Sequence, residues 1–290
     1  MTANSGVQTG QPESGASFQF LSDLARELSA GRVDLPSYPD AAARVQHVLS
    51  DDNITSERIA RVVSSDAGLA ARILTMANST LMHRGGAPVT DLKVAITRIG
   101  HDSIRAAALA YANAQLRHAA ELAHIRKPLE RFWQEGVRVA ALAHAMAKES
   151  GLLRPDEALL AGLLHNIGKV YIIARAPKGS AEVQVDEQVL AEWHPGIGQA
   201  LIENWKLPED IALAVGGQLE VDRSHPGNAD LQDLLIVAVR LAMQMANNSA
   251  DDAELAQMPA AHAMGLNDSA IVRIMLESQT EMETLQAALG

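Results

Sequence analysis

Cysteine is absent from the 290 residues, which excludes disulfides, thiolate nucleophiles, zinc ribbons and iron–sulfur clusters. That absence fits a reducing compartment. Aromatic residues make up only 3% of the chain, against 48% hydrophobic residues in all. A core must therefore be built from Ala, Leu, Ile, Val and the ten Met, a mixture that suits close-packed helices better than sheets. Basic residues are also scarce: 24 Lys and Arg stand against 35 Asp and Glu, for a net charge of −11. No run of five or more basic residues occurs, so a nucleic-acid backbone is not an expected partner. The opening MTANSGVQTGQPESGAS has neither a basic start nor an apolar segment, and no uninterrupted apolar run is long enough to cross a bilayer. The expectation is a soluble cytoplasmic protein with no membrane partner.

What is present is helical periodicity. Residues 1–17 offer almost nothing to bury and read as a disordered tail. From there Phe20, Leu21, Leu24 and Leu28 recur at helical spacing, with Gly31 placed to end that helix. Further helices are expected over 39–50, 56–64, 67–80, 91–99, 102–120, 128–150, 156–174, 187–193, 196–206, 208–220, 229–247 and 268–288. A turn is expected at Leu35-Pro36. Asp66 and Thr90 are candidate N-caps, Gly100 and Gly151 candidate helix ends, and Pro155 and Pro208 sit at first turns. Period-2 alternation is confined to VQV at 183–185, too short for a strand, and no fixed repeat suggests a solenoid. The fold class is all-α: an irregular multi-helix globule in two lobes, one to about residue 120 and one from about 127, joined at HIRKP (124–128).

One helix carries chemistry. Along 156–174, Leu160, Leu163, Leu164, Ile167 and Tyr171 form a bulky core stripe, while Ala158, Ala161, Gly162, His165, Gly168 and Lys169 form a small one. Small residues around a histidine either let a neighbouring helix approach or leave a cleft, and both readings stay open. No nucleophile elbow, P-loop or dinucleotide fingerprint is present.

The stretch LLAGLLHNIGKVYI (159–172) resembles the AGLLHDIGK signature of the HD superfamily of metal-dependent phosphohydrolases. With IARVVSSDAGLAARILTMANSTLMHRGGAPVTDLKVAITRIG (59–100), LPSYPDAAARV (35–45), FWQEGVRVAALAHAMA (132–147) and WHPGIGQALIENWKLPEDI (193–211), the chain resembles the HDOD, or HD-related output domain, family over about 18–247. Residues 248–290 are then a C-terminal helical extension. There Ile271, Ile274, Met275, Met282 and Leu285 share a stripe that suits either a core helix or a contact surface.

The resemblance implies an all-α bacterial signalling or regulatory module. It also implies where a metal would sit in catalytic HD relatives: an early His, the His-Asp pair and a late Asp. Those places hold Glu135, His165 with Asn166, and about Val239, so one ligand of four is kept. The HH pair of many HD phosphodiesterases is replaced by Gly216-Gly217-Gln218, and Lys169 holds a place that lies near substrate phosphate in active relatives.

Two lost carboxylates weigh heavily on a dication, since a unit charge about 4 Å away is worth on the order of 4 kcal/mol per unit of ion charge at an effective dielectric of 20. The expectation is no catalytic residue, no cofactor and no metal. If a metal were bound, Glu135, His165 and His194 would be its ligands. Asp66, Asn78 and Ser79 are family-motif positions that could bind something or tie down a loop. The expected function is a non-catalytic signal-transduction module acting through contact with signalling proteins. By analogy these belong to two-component or cyclic-di-GMP pathways. The rival is a residual phosphohydrolase acting on a nucleotide or cyclic dinucleotide.

Overall fold

The computed structural model of the protein describes residues 13–31, 40–49, 51, 54–79, 88–176, 187–247 and 255–289. Among them there is no strand, and helices account for the elements throughout. The first half holds α1 (Glu13–Ser29), α2 (Asp40–Leu49), α3 (Ser56–Val63), α4 (Ala67–Ala77) and α5 (Leu92–His118). Local chemistry sets their ends. Thr55 caps α3 by accepting from the Arg58 amide, and Asp66 caps α4 by accepting from the Leu69 amide; each satisfies an otherwise orphaned first-turn N–H. The cap expected at Thr90 is instead Asp91, whose carboxylate accepts from the Val94 amide at 2.9 Å. Its charge also complements the positive helix end. Gly100 breaks α5 into two helical runs, because at φ 78° and ψ 169° it occupies backbone space open to glycine.

A 3-10 turn (Ala120–Ile125) joins the halves where HIRKP interrupts the pattern. Then come α6 (Arg126–Ser150), α7 (Pro155–Leu164), α8 (Ile167–Arg175), α9 (Glu187–Asn204), α10 (Glu209–Gly216), α11 (Leu231–Asn247), α12 (Pro259–Ala263) and α13 (Asp268–Leu289). Gly151 ends α6 in the left-handed region, at φ 63°, and Pro155 opens α7.

Three expectations are corrected. The helix read over 156–174 is two, broken at His165-Asn166. The two read over 187–193 and 196–206 are one, with Pro195 inside it. Proline removes one ladder bond, but α9 packs on α8 and α10 along its length, and that packing carries the helix through. The tail read over 1–17 is helical from Glu13, in a helix that Leu24 and Leu28 anchor in the core. Residues 1–12, the turn at Leu35-Pro36 and VQV at 183–185 lie outside the described residues.

One contiguous core runs from Leu24 to Leu285 and includes buried side chains of both halves. The chain ends interlock them. α1, counted with the first lobe by sequence, docks on the second: Glu27 pairs with Arg175 at the end of α8 at 2.6 Å, and Asn204 Nδ2 of α9 donates to the Leu28 carbonyl at 3.2 Å. α13 packs chiefly along α6 and touches α4 and α5. Ile271, Ile274 and Leu285 are buried and Met275 and Met282 pack beside them, so this stripe is a core face. A buried polar pin fixes it, with His144 Nδ1 2.9 Å from both Glu281 carboxylate oxygens.

Pro155–Arg175 is long and apolar enough to cross a membrane by length and composition, but polar residues interrupt it at His165, Asn166 and Lys169 and 78% of that window is buried inside the protein. Its small residues explain how it packs. A Cβ built on Gly162 would lie 2.4 Å from Ala140 Cα, and one on Gly168 would lie 2.0 Å from the His194 carbonyl oxygen. These contacts are backbone to backbone, so α7 and α8 can approach α6 and α9 only through glycine. Gly168→Ala is expected to lower stability by about 3 kcal/mol in urea denaturation. Gly196→Ala, on α9 with nothing within 4 Å of the new Cβ, should instead be neutral or stabilise by up to about 1 kcal/mol.

Candidate functional site

The break between α7 and α8 turns His165 and Asn166 into the interior, where they are 1% and 2% exposed. Breaking a helix in the core frees backbone groups that water cannot reach. Side chains from three elements take up the neighbouring polar atoms. His165 Nδ1 lies 2.7 Å from the Gly162 carbonyl, Asn166 Nδ2 donates to the Phe132 carbonyl at 2.6 Å, and Gln218 Nε2 donates to the carbonyls of His165 and Val215 at 2.7 and 2.8 Å.

Beside the break is a cavity of about 370 Å³. α6 contributes Arg131, Phe132 and Glu135, the break contributes His165 and Lys169, and α9 contributes Glu187, Leu190 and His194. Gln218 and Leu219, with Val239 and Met243 of α11, complete it. The small stripe therefore serves both purposes left open by sequence: Gly162 and Gly168 draw helices together, and His165 and Lys169 face a cleft. Val239 lines the same cavity, and Asn166 has its amide turned to a backbone carbonyl.

Glu135, His165 and His194 line the same space, and Lys169 joins them. Lys169 Nζ donates to Glu135 Oε1 at 2.9 Å, while His165 Nε2 stands 3.7 Å from that oxygen, beyond hydrogen-bond reach. Burial pushes the Glu135 carboxyl up, but the neighbouring His165 and Lys169 outweigh it and hold the group well below the usual carboxylate range. His194 is pushed down to about 3, first by burial, then by the charge of Lys169 beside it. It is a neutral imidazole at physiological pH. The Lys169 ammonium thus already takes up the negative charge that Glu135 would offer a cation. Two imidazoles and one carboxylate form a ligand set of the kind that holds zinc or iron, but here the carboxylate is engaged by an internal cation.

The other family-motif residues are spent on structure. Asp66, besides capping α4, accepts from the Tyr111 hydroxyl at 2.9 Å. Asn78 donates to the carbonyls of Leu74 and Val89 and accepts from the Val89 amide at 2.7 Å. Ser79 donates to the Met76 carbonyl. Sequence reasoning noted Gln218 only as a departure from a histidine pair and passed over Arg131, Phe132, Glu187, Leu219 and Met243. The sole available signal was a polar residue after two glycines at the end of an apolar helix.

The HDOD domain family model matches residues 35–218, and the chain belongs to that family. The match is narrower at both ends than the span of 18–247 inferred from motifs. Among solved structures, a protein from Shewanella amazonensis SB2B, named as a candidate metal-dependent phosphohydrolase, is similar with a TM-score of 0.68 at 22% identity, covering 95% of this chain and 100% of its own. An HDOD domain protein of unknown function from Geobacter sulfurreducens aligns with a TM-score of 0.63 at 22% identity, covering 94% and 99%. A candidate signal transduction protein from Marinobacter aquaeolei VT8 aligns with a TM-score of 0.57 at 21% identity, covering 96% of this chain and 66% of its own. No curated protein matches the sequence. At these identities the likeness establishes the helical HDOD fold.

Two measurements test the geometry. Asn166→Asp places a buried carboxylate against the Phe132 carbonyl and should cost about 2–3 kcal/mol at pH 7, recovered in part at pH 4 where the new group protonates. The His194 pKa is lowered in the folded state, so the unfolded chain binds the extra proton as pH falls, and stability drops below the unfolded value of about 6.5. Urea midpoints should decline from about pH 6.5 to pH 4.5, and His194→Gln should flatten that slope.

Proposed function

We propose that the protein is a non-catalytic regulatory module of bacterial signal transduction, working in the cytoplasm through contact with other signalling proteins, with no nucleic acid or membrane as partner. The observation that carries this reading is the Lys169–Glu135 pair at 2.9 Å. It ties up, with an internal ammonium, the one carboxylate among Glu135, His165 and His194 that could help to hold a dication. Without the ion, nothing in the cleft lowers the pKa of an attacking water or gathers developing phosphoryl charge. Asn166 and Val239 remove the charge that would recruit one, and the resemblance of the fold to a candidate signal transduction protein supports the same class. By family analogy, the partners are components of two-component or cyclic-di-GMP circuits.

The rival, a residual phosphohydrolase, draws on one observation: Glu135, His165 and His194 do share a cavity. Elemental mass spectrometry of untagged protein, with a phosphodiesterase assay in added Mn²⁺ or Mg²⁺, separates the two. The regulatory reading expects well under one equivalent of metal and no turnover above background. About one equivalent of Zn, Fe or Mn that is lost in His165→Ala would sink it. A triple variant, Glu135→His with Asn166→Asp and Val239→Asp, restores the standard ligand types and should gain metal if the cleft kept its geometry.

A further inference from the structure

The cleft holds polar atoms for which the fold has no use. His165 Nε2, His194 Nδ1 and Gln218 Oε1 are buried without a hydrogen-bond partner. Their residues are 1%, 3% and 1% exposed and all line the 370 Å³ cavity. Unpaired buried polar atoms are expensive and call for a specific account; three around one cavity point to something that fills it.

Their hydrogen-bonding sense can be read. The Gly162 carbonyl can only accept, so His165 Nδ1 carries a proton, and Nε2 stands 3.7 Å from Glu135 Oε1. Gln218 has its amide nitrogen between two carbonyls, which fixes its orientation and leaves Oε1 as an acceptor. Gln218 Oε1 therefore asks for an N–H or O–H donor.

The charges in the cavity wall are matched one to one. Lys169 pairs with Glu135 at 2.9 Å, and Arg131 with Glu187 at 3.1 Å. An anion meets no uncommitted cation there, and a cation meets no uncommitted carboxylate. The rest of the wall is apolar, with Phe132, Leu190, Leu219, Val239 and Met243 offering an aromatic face and aliphatic surfaces.

We propose that this cavity is a binding site for an uncharged ligand with a flat apolar body and an N–H-donating edge, of the carboxamide or amino-heterocycle class. Gln218 Oε1 accepts from the edge while the body lies against Phe132 and Val239. Such a ligand would be an input to a regulatory module, but the binding itself does not depend on that role or on any partner, and its test involves neither turnover nor a second protein.

Benzamide, benzoate and benzamidine share one ring and nearly one shape, and differ in charge and in donors. Each is titrated into the full-length protein and followed by saturation-transfer NMR. Benzamide is expected to bind with a Kd of about 1 mM, as a fragment of its size allows, with benzoate and benzamidine at least about tenfold weaker. Val239→Phe, which fills the cavity from α11, should weaken benzamide by about tenfold or more. Leu219→Trp, at a half-exposed position on the cavity wall, serves the same end if the first variant does not fold. Equal or tighter binding of benzoate or benzamidine would overturn the proposal. So would benzamide binding that survives the cavity-filling substitution, or no saturation transfer from any of the three.

Discussion

A helix interrupted inside a hydrophobic core must find partners for the backbone groups it frees, and the interruption at His165-Asn166 governs much of this molecule. Glycines at 162 and 168 bring the two pieces within backbone contact of α6 and α9. With water excluded, the partners have to be protein. Asn166 reaches across to α6, and Gln218 reaches back from the end of α10. Each bond joins segments distant in sequence, so the break is also a junction that holds α6, α8 and α10 in one arrangement. The cavity beside it follows from the same geometry. Helices pinned at the turn cannot also close over the small stripe a few ångströms away.

Electrostatics then decides what that cavity is suited for. In a weakly screened site a carboxylate needs a counter-charge, and the chain supplies its own in Lys169. Lys169 and Glu135 offset each other, His194 is a buried imidazole, and Val239 and Met243 make part of the wall apolar. Helix packing holds the HDOD architecture, and that packing does not dictate which charges line the cavity. Fold and chemistry are separable, and family membership alone carries the first.

The two chain ends serve as clamps. α1 reaches over to α8 through the Arg175–Glu27 pair and to α9 through Asn204, and α13 lies along α6 over the buried His144–Glu281 contact. Neither helix lies within the stretch matched by the family model. Both bridge segments that sequence order would assign to separate lobes, so motion between lobes would have to break contacts made by the termini. Val272 and Leu276 remain exposed on the outer face of α13, at 49% and 64%.

By itself the sequence determined the helical class, from its aliphatic and aromatic content and its 3.6-residue periodicity. It also determined most helix ends, because caps and left-handed glycines are local chemistry: Asp66, Gly100 and Gly151 act where they were read. It placed His165, Asn166 and Val239 near one site through motif order. Tertiary structure decided the rest. The break at His165-Asn166 is invisible to periodicity, since the apolar spacing runs past it from Leu163 and Leu164 to Ile167 and Tyr171, and only long-range bonds to Phe132 and Gln218 make the interruption tolerable. The continuity of α9 through Pro195 also depends on packing that outweighs a local penalty. Gln218 and the Lys169–Glu135 pairing belong to no local pattern. Hydrogen bonds and charges across 34 to 53 residues of sequence are set by where the folded chain brings side chains together, and that is fixed only when the core has packed.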